Sequence, residues 1–100
     1  MSPRDDGHAV HHSELKRGTP VYDADERVVG KVVESLDNYR ENIWDGLVIE
    51  TESGDKRFVD AHEVARTAER AVTLTITAAE VAELPPPPRT SLLSRFLKRG

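Results

Sequence analysis

Four histidines and a run of early aspartates are the side chains here best suited to chemistry. His8, His11 and His12 fall close together, and imidazole is a common metal ligand and the side chain that titrates near neutrality. Adjacent histidines on a polar segment hold no fixed geometry without a scaffold, so no metal is assigned to them. His62 stands between Asp60 and Glu63, where a carboxylate and an imidazole could exchange a proton. Helix capping accounts for the same two carboxylates, with Asp60 as N-cap and Glu63 as its capping-box partner. Asp23, Asp25 and Glu26 lack the D-x-[DN]-x-[DN]-G spacing and distal Glu of a calcium loop, and read as a turn. The chain has no cysteine, which removes disulfides, thiolate nucleophiles and Cys-based zinc sites. No P-loop, dinucleotide fingerprint or nucleophile elbow occurs. The expectation is a protein that is not an enzyme, with no cofactor.

The elements around these residues follow from hydrophobic spacing. Residues 1–14 are polar and read as a disordered N-terminal tail. Pro20 suits the start of a strand or an edge. Arg27 to Leu36 is valine-rich on both faces, as for a strand covered on both sides, and Gly30 in its middle marks a bulge or bend. Ile43 to Thr51 is the next strand. Glu52-Ser53-Gly54-Asp55 is a tight turn, and Lys56 to Val59 pairs back as a hairpin. Asp60 with Glu63 opens a short helical turn, with Val59 and Val64 as its hydrophobic staple. Ala71 to Thr77 alternates, with Val72, Leu74 and Ile76 pointing inward. Thr77 with Glu80 repeats the capping box and starts a helix from Ala78 to about Leu84. Pro85 to Pro88 ends it.

These elements describe a mostly β protein. Residues 15–84 form a small, partly open β barrel of about five or six strands with short capping helices. Residues 85–89 are a polyproline spacer. Residues 90–100 are a basic tail in which Ser91 to Arg99 reads as an amphipathic helix: Leu92, Leu93, Phe96 and Leu97 share a face, with Arg95, Lys98 and Arg99 mostly opposite.

Gly18 to Val32 reads G-T-P-V-Y-D-A-D-E-R-V-V-G-K-V. In Gly18, Val21, Asp23, Val29, Gly30 and Val32 it resembles the opening of a PRC-barrel domain. D-G-L-V-I-E at Asp45 to Glu50 and R-F-V-D-A-H-E-V at Arg57 to Val64 are similar to later parts of that family. The resemblance covers roughly Leu15 to Thr77. It departs at Glu26, where the family often has Gly, and at Asp60, where Pro is common. The resemblance implies a six-stranded, partly open barrel. In this family it serves the cytoplasmic part of the photosynthetic reaction-centre H subunit and the C-terminal domain of a ribosome maturation factor; other members stand alone in bacteria and archaea. It implies adapter work in the cytoplasm, as in a stand-alone bacterial member, and neither specific function carries over.

Charge is split along the chain. Residues 1–84 carry ten basic and eighteen acidic side chains, a net −8, whereas residues 85–100 carry Arg89, Arg95, Lys98 and Arg99 and no acid, a net +4. An acidic body repels nucleic acid, and Tyr22, Tyr39 and Trp44 are too few for a base-stacking platform. No apolar run is long enough to span a bilayer, and residues 1–13 lack the apolar core of a secretory signal. Burying four tail side chains gives about 1.5–3 kcal/mol each, and cationic residues near an anionic surface add about 1 kcal/mol apiece. Ordering the backbone costs about 1–2 kcal/mol per residue, so a single tail is a marginal membrane anchor. The expected function is a non-enzymatic protein-interaction module. The acidic barrel meets an unidentified protein partner, and Leu92, Leu93, Arg95, Phe96, Leu97, Lys98 and Arg99 form the interaction site. The alternatives are weak peripheral contact with an anionic membrane through the same tail, an enzyme built on an acidic pocket of converging carboxylates or histidines, and a homo-oligomer that exchanges tails.

Overall fold

The computed structural model describes residues 5–38 and 43–88. The chain runs through β1 (Pro20–Tyr22), β2 (Val28–Asn38), β3 (Ile43–Thr51), β4 (Lys56–Asp60), β5 (Val64–Thr67), β6 (Val72–Leu74) and a single-turn helix, α1 (Ala78–Val81). Short 3-10 turns lie at His12–Glu14 and Ala61–Glu63. The strands form one six-stranded sheet in the order β4-β3-β2-β1-β6-β5. All pairs are antiparallel except β1 with β6. The sheet curls through 187° into an open half-barrel, an architecture consistent with a PRC-barrel-like fold.

Bulges produce the curl. Against β1 the register passes from Val21↔Gly30 to Tyr22↔Val28, leaving Val29 as the extra residue beside Gly30. Against β3 it passes from Val32↔Ile49 to Glu34↔Val48, leaving Val33 extra, and from Leu36↔Gly46 to Asp37↔Trp44. Each extra residue bends the strand and raises its twist. Each also reverses the alternation, so the two-faced valine pattern resolves in an unexpected way. Val29 and Val32 join the inner core, while Val33 joins a second cluster. Gly30 is also a point of close approach to β3, since a Cβ there would run into the Glu50 carbonyl.

The concave side holds the main core: Val21, Val29, Val32, Leu47, Ile49, Val59, Val72, Leu74, Val81 and Leu84. Val72 and Leu74 point inward as their alternation predicts, and Ile76 packs against the same core. Both capping boxes form, Asp60 with Glu63 and Thr77 with Glu80. The second starts a helix shorter than expected: regular α-helix ends at Val81, and Ala82 and Glu83 continue as a turn. That turn delivers Leu84 into the core.

A half-barrel leaves two edge strands with open hydrogen-bonding groups, here β4 and β5. Segments flanking the sheet bond to each of them. At the β4 edge the Phe58 amide donates to the Pro85 carbonyl (2.8 Å), and Arg57 Nη1 donates to the Leu84 carbonyl (2.7 Å). At the β5 side Val10 N–H donates to the Thr67 carbonyl (3.0 Å), and Thr67 Oγ1 donates to the Val10 carbonyl (2.6 Å). The following turn donates from Glu69 N to the His8 carbonyl (2.9 Å) and from Arg70 N to the Asp6 carbonyl (2.9 Å). Composition predicts a disordered tail over residues 1–14, yet residues 5–10 lie along this edge and His12 reaches the side chains of Ser35, Asp37 and Trp44. The polar side chains that argue for disorder find partners there: the buried Asp6 carboxylate meets Arg66 Nη1 at 3.2 Å.

Candidate functional site

The seven residues expected to carry the interaction, Leu92, Leu93, Arg95, Phe96, Leu97, Lys98 and Arg99, lie outside the described residues, as does the helix expected over 91–99. The described part of the spacer is bonded to β4, next to a second apolar cluster. Val33 and Leu36 of β2, Val48 of β3 and Phe58 of β4 form an apolar cluster distinct from the main core. Leu47 and Ile49 face inward, so Val48 between them faces the convex side, yet its exposure is 0%. Phe58 belongs to this cluster and its amide is the group bonded to Pro85.

A second feature is a shallow apolar groove at one end of the half-barrel. Val28, Val29, Ala78, Val81 and Ala82 line it, with Glu52, Asp55 and Arg57 among its polar residues. Val28 is 46% exposed. Arg57 Nη2 pairs with Asp55 at 3.5 Å, and its Nε is buried without a hydrogen-bond partner. The groove is open and shallow. It suits contact with an apolar side chain of a partner better than enclosure of a small substrate.

The early histidines do come to a structured place. His12 stacks on Trp44 with ring centroids 4.4 Å apart and planes 3° from parallel. Trp44 Nε1 donates to Ser35 Oγ at 2.9 Å. His12 Nδ1 lies 3.3 Å from Asp37 Oδ1 and 3.4 Å from Ser35 Oγ. Burial pushes the His12 imidazole below its ordinary pKa; the Asp37 carboxylate opposes that shift and His11 adds to it. Burial outweighs the carboxylate, so the neutral ring is favoured. This is a latch for the N-terminal segment, with the apolar Leu15 packing on the core just beyond. Sequence reasoning missed it because the partners stand far apart in the chain; the signal was the single tryptophan beside a run of polar strand residues.

The remaining candidates resolve as structural groups. His62 Nδ1 bonds to Asp60 Oδ1, which also accepts the His62 amide, and this imidazole is 79% exposed. Asp23 is a turn residue: Oδ1 accepts from the amides of Asp25 and Arg27, each at 2.9 Å, and the carboxylate is buried. Glu26 takes the left-handed backbone of this turn (φ 64°), where the resembling family often has Gly. Asp5, at the surface, is held below the usual carboxylate range by its hydrogen bond to Arg70, helped by the Gly7 amide. Among the described residues no group of three His, Cys, Asp or Glu side chains is placed to hold a metal ion, and no helix is long and apolar enough to cross a membrane.

No family model matches the chain, and no curated protein matches its sequence.

Proposed function

We propose that the protein is a PRC-barrel domain of the stand-alone type found in bacteria, and that it works in the cytoplasm as a non-enzymatic adapter. The observation that supports this most is how the half-barrel uses its polar groups. The carboxylates and imidazoles that sequence offers for chemistry are engaged in caps, turns and the edge latch rather than converging on a cleft. With both sheet edges already bonded to the chain's own flanking segments, strand addition is a poor route to a partner at those bonds. Contact then falls to the apolar groove around Val28 and to the basic tail, with an acidic body that favours a partner carrying positive charge.

The charge of the tail also supports a second reading, peripheral attachment to anionic lipid. Solution mass and vesicle flotation separate the two. The full chain is compared with a full-length variant in which Leu92, Leu93, Phe96 and Leu97 are all changed to Ser. The adapter reading expects neither chain to float with phosphatidylserine vesicles at physiological salt. Flotation of the full chain alone, weakening as salt rises, overturns it in favour of the membrane.

A further inference from the structure

The convex cluster of Val33, Leu36, Val48 and Phe58 poses a question the sheet does not answer. A half-barrel buries its concave face, and an apolar convex face needs a second layer. Val48 is fully buried on that side, with Val33, Leu36 and Phe58 as the described apolar neighbours. We infer that the second layer is the chain's own tail, residues 89–100, whose apolar face docks across β2, β3 and β4 in the free protein.

Four observations select this occupant. The first is the point of departure, since Pro85 is bonded to the backbone of Phe58, at the margin of the cluster. The second is the path. Pro85 and Pro86 are exposed, but Pro87 and Pro88 are half-buried again, so the chain does not leave straight into solvent. The third is reach. A helix over 91–99 is about 13–14 Å long at about 1.5 Å per residue. Strands about 4.8 Å apart make β2 to β4 about 10 Å wide, so the helix spans all three. The fourth is charge: a tail of net +4 belongs on a body of net −8, and Asp60 stands on the same convex strand face as Phe58, beyond the Glu50–Lys56 pair. The arrangement places Leu92, Leu93, Phe96 and Leu97 inward and leaves Arg95, Lys98 and Arg99 on the rim. It is a property of the free chain and holds whether or not the adapter reading does; in the adapter reading the partner takes the tail's apolar face in place of β2, β3 and β4.

The test is a nuclear Overhauser experiment on the full chain with labelled phenylalanine rings and valine and leucine methyls. The chain has only two phenylalanines, so the Phe96 ring is identified by its loss in Phe96→Ser. The expected result is cross-peaks from Phe96 to the methyls of Val33, Leu36 or Val48, unchanged on dilution. In Phe96→Ser, shift changes should be confined to this cluster and leave Val21 and Val72 in place. A mixture of ring-labelled and methyl-labelled chains should show no cross-peaks. Cross-peaks in the mixture mean that a second copy supplies the tail, which overturns docking within one chain. Absence of Phe96 cross-peaks to these methyls overturns docking altogether.

Discussion

Replacing His12 with alanine removes the ring that lies on Trp44 and leaves the rest of the N-terminal segment bonded to the β5 edge. An offset or parallel ring pair contributes about 0.5–1.5 kcal/mol beyond its burial, so the docked state should weaken by roughly fivefold. Full detachment is not expected. The Val10–Thr67, His8–Glu69 and Asp6–Arg70 backbone bonds and the Asp6–Arg66 pair remain. Acidification should mimic the substitution, and the sign is set by burial. The docked ring binds a proton less readily than the ordinary imidazole, whose pKa is 6.5. The undocked or unfolded chain therefore takes up more protons as pH falls. The contribution is complete above about pH 6.5 and is lost as pH drops through the window between that value and the lower docked pKa. Trp44 is the only tryptophan, so its emission reads this site directly. The wild-type emission should change with a midpoint below 6.5, and the change should vanish in His12→Ala. A midpoint above 6.5 would mean that Asp37 dominates over burial. Emission that is the same in both proteins and flat with pH would refute the latch.

Two further substitutions test how the half-barrel is built. Asp23→Ala orphans the Asp25 and Arg27 amides at the corner between β1 and β2; leaving such donors unsatisfied costs about 1–3 kcal/mol. Urea unfolding should show that loss with an unchanged slope. Gly46→Ala places a methyl against the Val59 carbonyl in a backbone with φ 148°, where strain alone costs about 1–3 kcal/mol. A thermal midpoint within error of the wild type would show that the β3–β4 approach is looser than described.

Much of this fold was legible because its signals are local. The capping boxes at Asp60 and Thr77, the Ser53-Gly54 turn and the alternation through Val72 and Leu74 each act within a few residues, and each forms where spacing puts it. What was not legible depends on register. The faces of Val28 to Leu36 cannot be assigned by alternation once Val29 and Val33 become bulges, because an extra residue is defined only against its partner strand. Strand β5 went unread because Val64-Ala65-Arg66-Thr67 is short and half polar; pairing with β6 makes it a strand. Residues 5–14 read as disordered for a related reason. Their composition lacks a core, but an open sheet edge needs backbone groups rather than apolar side chains, and a polar segment supplies those equally well. For the interaction site, sequence picked the tail, while the groove around Val28 and the convex cluster emerged only from the curl of the sheet.

The most direct measurement of the adapter reading is in-cell crosslinking of the full chain, set beside the variant with Leu92, Leu93, Phe96 and Leu97 all changed to Ser. Trp44 emission confirms that both are folded. The account predicts a protein partner, captured reproducibly by the full chain and reduced at least tenfold by the variant. Partners and solution mass that are identical for the two chains would contradict it, and the tail would then have no part in what this protein binds.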